Sequence, residues 1–213
     1  MSKFELIIPR YVETDSYEVM NLNNVSLNLK IGKDVKSRYA DTTHFVKWSI
    51  VNGFPRISFA YVKNTDQIGD ANVIPGGKVG FNFHLVISFL NKIIAGLNKG
   101  DDMEIVINAS NTEVIKKEVD GKVEVTRGEN IIPEGILKFS IKDKKARIAF
   151  KDLKEKDENK AYTISIPLVM DTKFVKTNIT DLEFAIGYFE NVKNTLMVAH
   201  LKYLERKKHV TSK

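Results

Sequence analysis

The sequence contains no cysteine. Disulfide bonds, iron–sulfur clusters, thiolate catalysis and cysteine-based zinc sites are therefore excluded. Apolar runs are also short, because nowhere do about 18 apolar residues follow one another as in a membrane-spanning helix. The first residues, MSKFELIIPRYVETD, lack the basic flank and long apolar stretch of a secretory signal. We therefore expect a soluble protein in the cytoplasm, or in the host-cell cytoplasm if the protein is viral.

Motifs of catalysis and metal binding are scarce as well. The four histidines are not spaced as in zinc sites or catalytic triads, and we expect them to be structural or surface residues. Gly77-Lys78 resembles part of a phosphate-binding loop, but Asn72 and Val79 replace the Gly and the Ser or Thr that this loop requires. The carboxylates are scattered through loops of mixed charge. We expect no enzyme activity, no catalytic residue, no metal and no cofactor.

The chain does have enough apolar side chains for a core, since 43% of its 213 residues are hydrophobic. No linker rich in Pro, Gly or Ser divides it, so we predict a single domain over residues 1–213 with a short basic tail at 208–213. The charged stretch KDLKEKDENK is interpreted as a solvated loop.

Two kinds of hydrophobic period alternate along the chain. Period-two segments, typical of half-buried strands, precede a helical segment that Asn82 is placed to cap. The same order then repeats, and Thr180 to Glu183 forms a capping box before a long amphipathic helix toward Arg206. The predicted strands lie at 25–31, 44–63, 103–108, 114–127 (around a turn at Asp120-Gly121), 136–141, 146–150 and 162–170, and the predicted helices begin at 83 and 181. This order predicts an α+β fold of two antiparallel four-strand groups, each followed by a helix, with pseudo-repeat halves at about 20–98 and 102–207.

The strongest local signal is Asn52-Gly53 between two strand-like runs, because both residues tolerate the positive φ of a tight hairpin turn. A two-residue turn fixes which side chains share a face. One face holds the pairs Val51 with Phe54, Ser49 with Arg56, Lys47 with Ser58 and Phe45 with Ala60. The opposite face holds Val46, Trp48, Ile50, Ile57, Phe59 and Tyr61, and is apolar enough to pack under the helices. We expect Trp48 in the core and the first face toward solvent or a ligand.

Positive charge is concentrated around this hairpin. Residues 26–63 contain seven Lys or Arg and two acidic residues, which leaves five of the six net positive charges of the chain. Cations, hydroxyls and aromatic rings together hold phosphates and stack bases without reading sequence. Lys30, Lys33, Lys36, Arg38 and Tyr39 are expected to extend the same path, although an ordinary solvated strand edge explains them equally well.

The segment IPGGKVGFNFHLVISFLNKI joins the first strand group to its helix. It resembles the Pro-Gly, basic, Gly-hydrophobic strand and Asn-capped helix of the single-strand-binding coactivator called positive cofactor four, and the repeated plan resembles the Whirly fold. Bacteriophage single-strand-binding proteins with this fold show comparable strings. The resemblance singles out Pro75, Gly76, Lys78 and Gly80, with Lys78 as the phosphate contact. It also implies a homo-oligomer, whereas a duplicated half-fold could remain a monomer.

These patterns together predict a sequence-tolerant single-stranded DNA-binding protein acting in replication, recombination or transcription. The predicted interface residues are Lys30, Arg38, Tyr39, Phe45, Lys47, Ser49, Phe54, Arg56, Ser58 and Lys78. Two alternatives stay open at this point. The protein could bind or anneal RNA, or it could be a structural or assembly protein whose sheet face meets a protein partner.

Overall fold

The computed structural model describes residues 10–13, 18–65, 72–119, 122–157, 160–169 and 178–211. The strands are Arg10–Glu13 (β1), Glu18–Ile31 (β2), Thr42–Val51 (β3), Phe54–Lys63 (β4), Ile74–Gly80 (β5), Met103–Val119 (β6), Lys122–Lys142 (β7), Lys145–Asp152 (β8) and Thr163–Pro167 (β9). The helices are Phe83–Lys99 (α1) and Asp181–Thr211 (α2). The fold is α+β, with two antiparallel sheets that are each followed by a helix, as the alternating periods predicted.

The first sheet has the order β1-β2-β3-β4-β5, and every neighbouring pair is antiparallel. Its centre is the predicted hairpin, in which Asn52 and Gly53 have φ values of 50° and 82°. Only residues that tolerate the left-handed region fit such a turn. The register between β2 and β3 shifts between Leu22 and Leu27, which marks a bulge opposite the middle of β3.

Asn82 and Gly100 set the start and the end of α1. The Asn82 side chain accepts a hydrogen bond from the His84 amide at 3.0 Å, which satisfies one of the amide groups that a helix leaves unpaired at its start. Gly100 ends the helix with a φ of 70°, and its amide donates to the carbonyls of Gly96 and Leu97. The predicted cap at Asn82 is therefore confirmed.

The second sheet has the order β6-β7-β8-β9, again antiparallel. The capping box before α2 is confirmed, because the Glu183 carboxylate accepts from the Thr180 amide at 2.7 Å and the Glu183 amide donates to the Thr180 hydroxyl at 3.2 Å. The Thr180 backbone and hydroxyl donors lower the pKa of Glu183. Among the described residues, neither helix carries the apolar run that crossing a bilayer would require.

One hydrophobic cluster joins both sheets and both helices. The apolar face of the hairpin packs against the helices, and Trp48 is 1% exposed and donates its indole N–H to the Tyr188 hydroxyl at 3.0 Å. Burial raises the pKa of Tyr188. The two sheets meet beside β5, and the Phe59 ring on β4 stacks there on the Phe150 ring on β8, with centroids 4.7 Å apart.

Three sequence expectations about extent were wrong. The first sheet has five strands rather than four, because β1 pairs with the start of β2. The predicted strands from 103 to 141 merge into the two long strands β6 and β7, whose pairing continues through register shifts. Helix α2 continues to Thr211, so most of the predicted tail is helical. The predicted turn at Asp120-Gly121, the strand end at Met170 and residues 212–213 lie outside the described residues.

Candidate nucleic-acid interface

The register of the hairpin confirms the predicted pairing of side chains. β3 and β4 pair Val51 with Phe54, Ser49 with Arg56, Lys47 with Ser58 and Phe45 with Ala60. These eight residues define the outer face of the first sheet. On the opposite, inner face, Val46, Trp48, Ile50, Ile57 and Phe59 are each at most 2% exposed. The alternation of the strands thus separates a fully packed face from one that carries the charged and hydroxyl side chains of the hairpin.

Strand β5 adds a third strand to the outer face beside β3 and β4. Ser58 is paired with Lys47 on one side and with Lys78 on the other, so these three side chains form a row across three strands. Arg56 lies in the next row, opposite Gly80. Lys47 and Lys78 are exposed, and Arg56 is half-buried. We call Lys47, Arg56 and Lys78 the basic patch.

The electrostatics around Lys78 show that positive charge is crowded there. Partial desolvation lowers the pKa of Lys78, the charges of Arg56 and Lys154 lower it further, and Glu134 opposes them. Glu134 is already paired with Lys154, at 2.9 Å. Within the described part of the chain, no residue of the basic patch makes an ion pair. A bound anion would relieve the mutual repulsion of these cations.

An aromatic side chain lies at the hairpin end of the outer face. Phe54 is 58% exposed, which makes it one of the most exposed large apolar side chains described. It borders a shallow pocket with Phe83, His200 and Tyr203. His200 stacks on Phe83 at 3.8 Å between ring centroids and donates to the Gly53 carbonyl at 3.3 Å, so α2 holds the hairpin turn in place.

Two predicted interface residues on the outer face are covered. Phe45 is 8% exposed and Ser49 is 9% exposed, so neither presents a surface to a ligand. The Nζ of Lys47 lies 5.9 Å from the centre of the Phe45 ring. A lysine stem that covers an aromatic ring while its ammonium reaches water explains why Lys47 is exposed and Phe45 is not.

The outer face closes toward the end of the hairpin that is distant from its turn. Lys30 is exposed and pairs with Thr43, which places it on the same face as Lys47. Thr43 in turn pairs with Val62, which is only 1% exposed. The open part of the face therefore runs along β4 from Phe54 through Arg56 to Ser58, with Lys47 and Lys78 on either side.

Arg38 and Tyr39 do not extend this path, contrary to the prediction. The Arg38 guanidinium donates to the Tyr39 hydroxyl at 2.7 Å and to the Ala161 carbonyl. The Tyr39 ring contacts His44, Tyr61 and Tyr162 on the inner side. Both side chains are turned away from the path by contacts with Ala161 and Tyr162, beside the second sheet. These residues are far away along the chain, so no local sequence pattern indicates the contacts.

Sequence reasoning also missed residues that the fold brings to this region. Lys154 comes from the stretch interpreted as a solvated loop, yet its charge acts on Lys78. His44 is fully buried, and its ring lies beside those of Tyr61 and Tyr162. Burial lowers the pKa of His44 to about 4, so the ring is neutral at pH 7. The signal for this cluster was only the inward parity of Tyr61, which is equally typical of ordinary core residues.

The fold and the interface together define a two-sheet α+β protein with a packed inner face and a partly open outer face that carries the basic patch. No protein-family model, curated protein or solved structure matches the chain. Its function is therefore inferred from its own geometry.

Proposed function

We propose that the protein binds single-stranded DNA through the open part of the outer face, without reading its sequence. The observation that carries this proposal is the row of Lys47, Ser58 and Lys78 across three strands, with Arg56 in the next row. Three cations that make no ion pair with another described residue supply the salt-dependent attraction to phosphates. A hydroxyl between two of them supplies a further donor to a phosphate oxygen.

The shape of the face favours a single strand over a duplex. Phe54, Arg56 and Ser58 alternate along β4 and span about 13 Å at the usual rise of a strand. Phe54 offers an exposed ring for stacking, and stacking contributes about 1–3 kcal/mol per base in single-strand complexes. A duplex buries the faces of its bases and leaves this ring without a partner.

Membership in the Whirly and positive-cofactor-four group is part of the same proposal, supported by the order of two strand groups that are each followed by a helix. The corresponding roles are replication, recombination or transcription, including those of a bacteriophage. RNA binding and a protein-assembly role are the outcomes against which the proposal is tested.

Fluorescence anisotropy with labelled oligonucleotides tests the proposal directly. We expect tighter binding of single-stranded DNA than of the matching duplex or of RNA, and weaker binding by the variants Lys47→Glu and Arg56→Glu. Lys92→Glu is the matched control, because Lys92 is an exposed lysine on α1, which packs on the inner face. Equal or tighter binding of the duplex would contradict the proposal. A preference for RNA would make RNA the ligand instead of DNA. A protein partner that stays bound in high salt after nuclease treatment would favour the protein-assembly role.

A further inference from the structure

A second feature lies where the edge of the first sheet meets the second sheet. It is a cleft of about 260 Å³ lined by Arg38, Tyr39, Tyr61, Asp152, Lys160 and Tyr162 among others. We call it the tyrosine cleft. Its volume is just below the roughly 300–1,000 Å³ of most small-molecule pockets, so it suits one ring system rather than a whole cofactor.

A chain of hydrogen bonds holds the wall of this cleft rigid. The Thr42 hydroxyl donates to the Tyr39 carbonyl at 2.5 Å, so the Thr42 oxygen accepts from His44 Nε2 at 3.0 Å. His44 Nδ1 is then the acceptor for the Tyr162 hydroxyl, at 2.9 Å. These bonds assign one neutral tautomer to His44 and fix the Tyr162 ring. Gly76 leaves room for the same ring, because a Cβ at this position would overlap the Tyr162 ring.

The polar groups of the cleft suit the edge of a planar heterocycle. The Tyr61 hydroxyl makes no hydrogen bond to another described residue, and desolvation raises the pKa of Tyr61, so this hydroxyl is a neutral donor or acceptor at the cleft. Arg38 and Lys160 bring cationic groups to the cleft, where Arg38 also donates to Tyr39 and Ala161 and Lys160 is paired with Asp157, and Asp152 and Glu155 bring carboxylate acceptors. This balance of charge favours the mixed donors and acceptors of a nucleobase over a phosphate. The rings of Tyr39 and Tyr61 meet edge-to-face with centroids 5.5 Å apart, and both residues are half-buried and line the cleft.

The tyrosine cleft lies within reach of the basic patch. Gly76 lines the cleft and Lys78 follows it by two residues on β5, a separation of at most about 7 Å along the strand. The end of β8 and the residues after it also connect the cleft with the basic patch. Asp152 lines the cleft, and the charge of Lys154 lowers the pKa of Lys78. Lys78 faces outward and the tyrosine rings lie on the inner side, so a strand whose phosphates contact Lys78 places a neighbouring base at the cleft by passing around β5, the last strand of the first sheet.

We propose that the tyrosine cleft binds one unpaired nucleobase of the strand held by the basic patch. This inference rests on the proposed function and adds a base-binding site to it. A base in a duplex cannot enter, because its edge is paired and its faces are stacked. The cleft would thus contribute to selectivity for single strands.

The first test compares intact oligonucleotides with abasic ones of equal length and charge. Tyr61→Leu removes the ring, and we expect it to weaken binding of the intact strand by about 5- to 150-fold, the range of a single stacking contact, with no change for the abasic strand. Tyr61→Phe keeps the ring and should retain most of the affinity. Ile74→Leu, an exposed position on β5, is the matched control for folding and binding.

The outcomes separate this inference from the proposed function. If neither strand binds the wild-type protein, the proposed function fails. If both bind but Tyr61→Leu weakens them equally or not at all, the base site fails while the basic patch stands. Saturation by a mononucleotide that oligonucleotides do not displace would instead show an independent nucleotide site and overturn the inference.

A second measurement needs no variant. An oligonucleotide carrying photoreactive 5-iodouracil should cross-link to the wild-type protein at Tyr39, Tyr61 or Tyr162 when irradiated, and the adduct is located by mass spectrometry. Cross-links at Phe54 alone would overturn the base site and keep the outer face as the place where bases stack.

Discussion

Acid should destabilise the protein through His44. The folded protein keeps His44 neutral down to a pKa of about 4, whereas an exposed histidine in the unfolded chain has a pKa of 6.5. Protons therefore bind the unfolded state first, and the contribution of His44 is complete above pH 6.5 and is lost as the pH falls toward 4. The full difference corresponds to about 3.4 kcal/mol, and lowering the pH from about 7.5 to 5 removes about 2 kcal/mol of the free energy of unfolding.

Urea unfolding of the wild type and His44→Gln at both pH values measures this effect. Trp48 is the only tryptophan and is 1% exposed, so its fluorescence reports the loss of the core. The variant keeps a polar side chain but cannot be protonated, and the other titrating groups are shared. The stability difference between the two proteins should therefore shrink by about 2 kcal/mol at the lower pH. The same difference at both pH values would refute the assignment of a buried neutral histidine.

Three further predictions address the interface and the fold. Three phosphate contacts by the basic patch predict that log affinity falls with log salt concentration with a slope of about −2.1. In the double variant Lys47→Gln with Lys78→Gln the slope should shrink to about −0.7. An unchanged slope in salt titrations would show that these lysines do not contact phosphate. Gly77→Ala should destabilise the protein by about 1–3 kcal/mol in thermal unfolding, because the new Cβ would overlap the Phe150 ring. Gly80→Ala is the control, because a Cβ at that position meets open space and should not introduce such a clash. Asn82→Ala should lower stability by about 1 kcal/mol through loss of the α1 cap; equal denaturation midpoints for this variant and the wild type would contradict that role.

Local chemistry was sufficient to predict the hairpin and the starts of both helices. Asn52-Gly53 fixes a two-residue turn, and the turn fixes every pair from Val51 with Phe54 to Phe45 with Ala60. The caps at Asn82 and Thr180 were equally readable, because each involves residues close in sequence. These features depend on backbone geometry within a few residues.

Coverage of a face depends instead on distant parts of the chain. Parity placed Phe45 and Ser49 correctly on the outer face, but it did not show that both are buried there. The position of Tyr39 was missed because its partner Tyr162 is 123 residues away. The tyrosine cleft depends on the same long-range meeting of two sheets, which periodicity within one segment cannot predict.

The short strand β5 links the inside of the molecule to its surface. Gly77 faces inward, where the Phe150 ring occupies the space of a side chain, and its neighbour Lys78 faces outward in the row with Ser58 and Lys47. A rigid strand transmits any displacement of one residue to the next. A shift of the second sheet against β5 would therefore move the ammonium group of Lys78, and we expect core substitutions around Phe150 to alter the proposed binding of DNA from a distance.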